Sequence, residues 1–323
     1  MGKRRQERRK LQKAEKATKA TSSEEEVERR NPVINFFDKR YKILILIPLL
    51  LIVFGIAQIA YQDATTGEFM HRDVTLQGGL TVTIPVGDKE LDRLEIERQL
   101  ENELPDIDFD SRALASPTGR TTAFIFESTV VEEDKREQLI NKLVELTGVD
   151  RDEMNLDVIG PALGESFYRQ AIIAVLVAFV LMAAVVFAYF RSFVPSFAIM
   201  LSTFADIIVT LAIMNLLEIK ISTAGLAAFL MLIGYSIDTD ILLASRVLRT
   251  KEGTIFSRVL SATKTGLTMV GSTLVALTVA LILSQSDVLT QIMMILFIGL
   301  IVDALMTWIL NAGILRYYLE RKG

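Results

Sequence analysis

Gly234-Tyr235-Ser236-Ile237-Asp238-Thr239-Asp240 places two carboxyl groups inside the apolar stretch from Ile221 to Ala244. At that depth a bilayer offers only hydrocarbon, and an ionisable side chain at the centre of a membrane helix costs roughly 2.5–3.5 kcal/mol on insertion scales. Such groups are tolerated where they face another helix or a water-filled path. The stretch reads as a membrane helix with a working face.

The 323-residue chain is 51% hydrophobic with a mean hydropathy of +0.38, yet 23% of it is charged, so the two kinds of residue are segregated along it. Apolar windows of about 20 residues, enough to cross a hydrocarbon core about 30 Å thick, fall at 43–61, 170–190, 196–217, 221–244, 266–284 and 289–312. The expected fold class is a polytopic α-helical membrane protein with six transmembrane helices. The first window starts well inside the chain and runs into Gln58-Ile59-Ala60-Tyr61 without a convincing cleavage site, so it is read as an anchor rather than a signal peptide.

Orientation follows from the Lys and Arg bias of short flanking loops. Arg29, Arg30, Lys39, Arg40 and Lys42 precede the first window; Arg246, Arg249, Lys251, Arg258 and Lys264 follow the fourth; Arg316, Arg321 and Lys322 follow the sixth. The connections at 217–220 and 284–287 carry one base and none. Both termini are therefore expected in the cytoplasm, with 62–167 outside and a five-helix bundle over 170–315 followed by a cytoplasmic tail at 316–323. Segment 62–167 holds 24 acids against 10 bases, a net of −14 that leaves +10 for the remainder. Residues 1–35 form a basic tail with nine bases between Lys3 and Lys19, and too few large apolar side chains to fold alone. Such a cluster either touches a phosphate surface, membrane lipid or ribosomal RNA, or stays solvated and reinforces the topology signal.

The outer segment alternates in type. Val74 to Val86 reads as a strand interrupted by Gly78-Gly79, Asp88 to Leu104 as a helix, and Ile107-Asp108-Phe109 as the start of a second strand. Thr121 to Phe126 reads as a strand, Glu132 to Leu146 as an amphipathic helix, and Asn155 to Ile159 as a closing strand. The order β-α-β-β-α-β predicts an extracytoplasmic α+β domain of ferredoxin-like plan, an antiparallel sheet covered on one face by two helices. No internal repeat is obvious.

Gly160-Pro161-Ala162-Leu163-Gly164 before the second helix, Gly234-Tyr235-Ser236-Ile237 in the fourth, and Asp73-Val74-Thr75-Leu76-Gln77-Gly78-Gly79 at the entrance to the outer domain occur in this order within this topology. The arrangement resembles the SecF family of protein-export membrane proteins, a branch of the superfamily that contains proton-driven multidrug and lipid exporters, over most of 36–318. The resemblance implies half of an exporter-like membrane domain. It also implies a partner SecD, the SecY-type translocon channel and an unfolded exported polypeptide as further contacts, and use of the proton gradient in moving and releasing that polypeptide. Bacterial members read Gly-Tyr-Ser-Ile-Asn-Asp-Thr, so alignment puts Asp238 on the Asn, Thr239 on the functional Asp and Asp240 on the Thr; the Asp-Thr-Asp version is more like archaeal members. Arg246 falls on a family basic position. Ser257-Arg258 resembles the pair that opens the fifth helix, where a family threonine is Ala262 here, between Ser261 and Thr263.

On a helix, residues two apart point about 200° from each other, so Asp238 and Asp240 cannot share one narrow interface. Asp238 stacks over Gly234, which would let another helix approach closely, and Asp240 over Ser236. A carboxyl that passes between its charged and neutral forms is what a proton relay needs, and Asp238, Asp240, Thr239 and Ser236 are the first candidates. Asp206, roughly 15 Å into the third helix by helical rise, joins them, and the resemblance supports an aspartate there. Asp303 in the sixth helix receives no role from the resemblance and either pairs with a neighbouring helix or lines the same cavity. The competing reading makes all these acids interhelical hydrogen-bond partners.

Arg246 and Arg258 are candidate basic partners, although with Lys264 they equally fit topology signals and headgroup contacts. Gly78, Gly79, Gly160, Pro161, Gly164 and Gly234 are read as structural. His71 reads as a surface residue, Trp308 and Tyr317-Tyr318 as packing and interfacial anchors. One histidine and no cysteine leave no metal or nucleophile constellation, no phosphate loop is present, and neither a cofactor nor an enzymatic activity is expected. Two rivals remain: an exporter of small lipophilic molecules, which would call for two large outer domains, and a non-transporting scaffold of the translocon.

Overall fold

The computed structural model describes residues 32–86, 91–115, 121–250, 253–284 and 286–322. The predicted tail before Pro32 lies outside them. The chain opens with an amphipathic helix α1 (Pro32–Leu44) and enters α2 (Leu46–Thr66). The entrance to the α/β domain is a single turn, α3 (Val74–Gln77), followed by β1 (Gly79–Pro85), α4 (Arg93–Glu103), β2 (Phe109–Ala115), β3 (Thr121–Ser128), α5 (Glu133–Thr147) and β4 (Asn155–Ile159). The return to the membrane domain runs through α6 (Pro161–Phe190), α7 (Phe193–Leu216), α8 (Thr223–Arg249), α9 (Ile255–Leu283) and α10 (Asp287–Leu305), which continues through a π turn (Met306–Asn311) into α11 (Ala312–Lys322).

Six helices are long and apolar enough to cross a membrane, the last being the continuous run Val288–Lys322. The expected count therefore holds, with shifted bounds. Helices α2 and α6 extend past the hydrocarbon windows into the α/β side, so the expected 62–167 domain narrows to its sheet and covering helices. The expected tail after 315 is helical to Lys322. Asp38 of α1 pairs with Arg316 at 2.7 Å, and Tyr41 donates to Glu320, tying the two ends of the chain together.

The sheet is antiparallel in the order β2-β3-β1-β4, as the ferredoxin-like plan requires. Alternation sends Leu80, Val82, Ile84, Phe124 and Phe126 to the face covered by α4 and α5, where they pack on Ile96, Leu100, Leu139 and Leu143. The opposite face carries the cross-sheet row Asp110, Glu127, Thr81 and Asp157.

Val74 to Gln77 is helical where a strand was expected. Asp73 in extended conformation accepts a hydrogen bond from Val74 N at 2.5 Å, a local cap that outcompetes the β preference of Val74 and Thr75. Gly78 then turns the chain with φ of 87°, and a Cβ there would lie 2.6 Å from Pro161 Cα. A Cβ on Gly164 would lie 2.6 Å from Gly78 N. Gly78, Gly164 and Pro161 thus let the entrance turn and the start of α6 cross backbone to backbone.

Backbone bonds join this entrance to the α7–α8 loop. Ile221 N donates to His71 O at 2.7 Å, and Asp73 N to Ile221 O at 3.0 Å. His71, expected at the surface, is half-buried in this seam with its ring against Gln62 Nε2. Ser222 caps α8 by accepting from Gly225 N, and its hydroxyl donates to Gln291 of α10. In the membrane domain α7 and α8 are the most buried helices, while α6 and α9 are mostly exposed to the bundle exterior.

Replacing Gly78 by Ala adds both a φ penalty and a backbone clash, for an expected loss of roughly 1–3 kcal/mol. A thermal-melt series in detergent should show that loss for Gly78→Ala and none for Gly234→Ala, whose Cβ would meet nothing within 4 Å.

Candidate functional site

Three aspartates from three helices meet in the interior of the membrane domain. Asp206 of α7, Asp240 of α8 and Asp303 of α10 are each 0% exposed. Helical spacing explains the convergence: Thr203 and Asp206 are three apart, Ser236 lies three and four residues before Thr239 and Asp240, and Asp303, Thr307 and Asn311 are spaced by four. Each set makes one polar stripe on an otherwise apolar helix.

The stripes are joined by short hydrogen bonds. Ser236 Oγ donates to Asp206 Oδ2 at 2.6 Å and lies 3.3 Å from Thr203 Oγ1. Thr239 Oγ1 lies 2.9 Å from the Ser236 carbonyl and 3.2 Å from Asp303 Oδ2. Thr307 Oγ1 lies between Asp240 Oδ1 at 2.9 Å and Asp303 Oδ1 at 3.0 Å, and Asn311 Nδ2 donates to Asp240 Oδ1 at 2.7 Å. The π turn that begins after Leu305 carries both Thr307 and Asn311, a helical irregularity common at functional sites.

Proton accounting is informative here. Each hydroxyl has one proton to donate, yet Thr307 faces two carboxylate oxygens and Thr239 faces a carbonyl and a carboxylate. Asp206 Oδ1 and Asp240 Oδ2 have no partner among the described atoms. No Lys, Arg or His is among the buried described residues, so no buried cation neutralises the cluster. The hydroxyls and the amide link one acid to the next.

Of the residues expected from sequence, Asp240, Asp206, Thr239 and Ser236 are brought together. Asp238 is not. It points to the exterior of the bundle beside Gly234 and Tyr235, which are also exposed, because its position lies across the helix from Asp240. The candidate basic partners also stay away. Arg246 Nη1 donates to Ser261 Oγ at 3.0 Å and Thr265 Oγ1 at 3.2 Å, and Arg258 Nη1 to the Val247 and Thr250 carbonyls at 3.0 and 2.6 Å. Both fasten α8 to α9, Arg246 by reaching hydroxyls of α9 and Arg258 by closing the C-terminal end of α8. Trp308 packs on Gly266, as a packing residue should. Asp303, expected to pair with a neighbouring helix or to line the same cavity, joins the cluster; Thr307 and Asn311 are not among the residues singled out from sequence, although their four-residue spacing from Asp303 in an apolar helix is a usable signal.

A family model for the C-terminal part of protein export membrane protein SecD/SecF matches residues 139–321. The chain is 38% identical over 252 residues to the protein-export membrane protein SecF of Thermococcus gammatolerans, covering 78% of this chain and 79% of that one. It is 36% identical over 286 residues to SecF of Methanocaldococcus jannaschii, with 87% and 96% coverage. With SecF of Pyrococcus furiosus it shares 38% over 283 residues, with 87% and 92% coverage. Among solved structures it is similar to the crystal structure of SecDF, a translocon-associated membrane protein from Thermus thermophilus, at TM-score 0.67 and 19% identity. That likeness, which concerns the fold, covers 88% of this chain and spans 38% of the SecDF chain.

The two fourth-helix acids can be told apart chemically because the chain has no cysteine. In detergent, Asp238→Cys should react readily with a small maleimide, and Asp240→Cys at least about ten-fold more slowly, since a thiol reacts as its accessible thiolate.

Proposed function

The chain belongs to the SecF family of protein-export membrane proteins, and from that premise we propose that it works with SecD to draw on the proton gradient in moving and releasing exported polypeptides. The observation that carries this reading is the buried carboxyl cluster of Asp206, Asp240 and Asp303, joined through the hydroxyls of Ser236, Thr239 and Thr307 with no Lys, Arg or His among the buried described residues. In this reading Ser236, Thr239 and Thr307 pass protons between acids on different helices, and Asn311 orients Asp240.

Charging or neutralising the cluster changes which of α7, α8 and α10 attract one another, and a bundle that packs in two ways can convert that change into movement. One elementary charge crossing the membrane is worth roughly 2.3 kcal/mol per 100 mV. That is comparable with the roughly 1–3 kcal/mol by which coupled sites bias each other. Proton flow can therefore drive such a switch without nucleotide chemistry, and the protein acts as a coupling subunit rather than an enzyme.

The Lys and Arg distribution puts both termini in the cytoplasm and the α/β domain outside, where it would meet the emerging polypeptide delivered by a SecY-type channel. Gly234 and Asp238, open on the exterior of α8, would be covered by the membrane domain of SecD. A carboxyl facing lipid alone would be costly, and a glycine allows a second helix to approach.

Membranes carrying Asp240→Asn or Asp303→Asn are expected to retain SecD and translocon chains in a mild-detergent pull-down while export falls to the level seen with an uncoupler. Undiminished gradient-dependent export in both variants would favour the scaffold reading. Gly234→Leu should act the other way, lowering recovery of SecD by filling the open face.

A further inference from the structure

Where α1 meets α11, at the end of the bundle away from the α/β domain, cations gather without carboxylates to match them. The two helices carry six bases and two acids between them. Both acids are engaged inside the junction: Asp38 pairs with Arg316 at 2.7 Å, and Glu320 accepts from Arg316 Nε at 2.8 Å and from Tyr41. Arg316 also lies over the Tyr41 and Phe256 rings, so it is the internal tie between α1, α9 and α11.

The other five bases, Lys39, Arg40, Lys42, Arg321 and Lys322, are exposed, and four of them have an aromatic ring as neighbour. Arg40 lies 5.5 Å from the Phe36 ring centre, and Lys322 5.5 Å from that of Tyr318. Lys42 of α1 and Arg321 of α11 flank the same ring, Tyr317, at 5.7 and 4.7 Å. A ring face attracts a cation without consuming its N–H donors, which stay available to phosphate oxygens. Two like charges beside one ring repel each other, and an anion between them removes that cost.

The apolar side chains beside these bases identify the source of the phosphate. Phe36, Phe37 and Ile43 are 49%, 45% and 64% exposed, and Leu46 and Ile47 in the first turn of the membrane helix α2 continue the exposed apolar surface. Arg40 departs from helical dihedrals, with φ of −115° and ψ of 16°, which kinks α1 ahead of α2. A short amphipathic helix with bases, exposed aromatic rings and a kink just before a membrane span fits the headgroup layer, with its rings toward the acyl chains.

We propose that α1 and α11 together form a binding site for an anionic lipid, its phosphate held between Lys42 and Arg321 beside Tyr317 and its acyl chains resting on Phe36, Phe37 and Ile43. Lys39 and Arg40 add to the attraction from the rim. The site braces α11 against the start of the chain. A Cβ on Gly313 of α11 would lie 2.5 Å from Ile45, and α11 continues directly from the π turn that carries Thr307 and Asn311 to Asp240.

Native mass spectrometry of the full-length chain in a neutral detergent, offered equal amounts of phosphatidylglycerol and phosphatidylcholine, tests the site. The wild-type chain should retain phosphatidylglycerol at least about ten-fold better. Each base near an anionic surface is worth about a five-fold change in affinity, so Lys42→Gln/Arg321→Gln and, independently, Lys39→Gln/Arg40→Gln should lose most of that preference while melting at the wild-type temperature. Arg98→Gln/Lys135→Gln, which removes two exposed bases of the α/β domain, should keep it. Excess inorganic phosphate should leave the lipid in place, having no acyl chains to set against Phe36 and Phe37. Equal retention of the two lipids by the wild-type chain, full preference in both α1 and α11 variants, equal loss in the α/β-domain variant, or displacement by inorganic phosphate would overturn the proposal.

Discussion

Hydrocarbon provides no hydrogen bonds, so every polar atom inside the membrane domain must be satisfied by the protein itself or by what it carries. The carboxyl cluster meets much of that requirement by recruiting Ser236 and Thr239 from α8, Thr307 and Asn311 from the π turn, and Asp206 from α7, while Asp206 Oδ1 and Asp240 Oδ2 stay without a partner among the described atoms. These bonds fix the azimuth of three helices at once. They also explain why α7 and α8 are the most buried of the six, while α6 and α9 are left to face outward. Moving any of the three helices means rearranging the hydrogen bonds that hold them together.

The α/β domain is attached with similar economy. It meets the bundle at the entrance turn, where Gly78, Pro161 and Gly164 bring backbones into contact, through the His71 and Asp73 bonds to Ile221, and through the Lys220–Asp110 ion pair. A displacement of the sheet is therefore felt at the starts of both α6 and α8. Helix α8 carries Asp240 on its inner face and Asp238 on its outer face. One rigid element thus touches the α/β domain, the buried cluster and the open flank.

Much of this was legible in the residues. Six apolar windows, the β-α-β-β-α-β order and the acids in the third and fourth helices are all present in the sequence, because helix and strand periodicities and hydrocarbon thickness are local properties. Where the sequence misled, a competing local or tertiary effect intervened. The Asp73 cap overrode the β-branched residues after it, and the connecting helices ran past their apolar windows because nothing stops a helix at the bilayer edge. Arg246 and Arg258 were plausible counter-ions by proximity in sequence, but their long side chains found hydroxyls of α9 and carbonyls at the end of α8.

The sequence by itself determined the class of molecule, the number of membrane helices, the plan of the α/β domain and the presence of carboxyls at membrane depth, since each depends on composition and spacing within a single segment. Only the tertiary structure decided which acids meet. Spacing says that Asp238 and Asp240 face opposite ways, but not which way is inward. That depends on how α8 is rotated against α7 and α10, and on the π turn that brings Thr307 and Asn311 to Asp240.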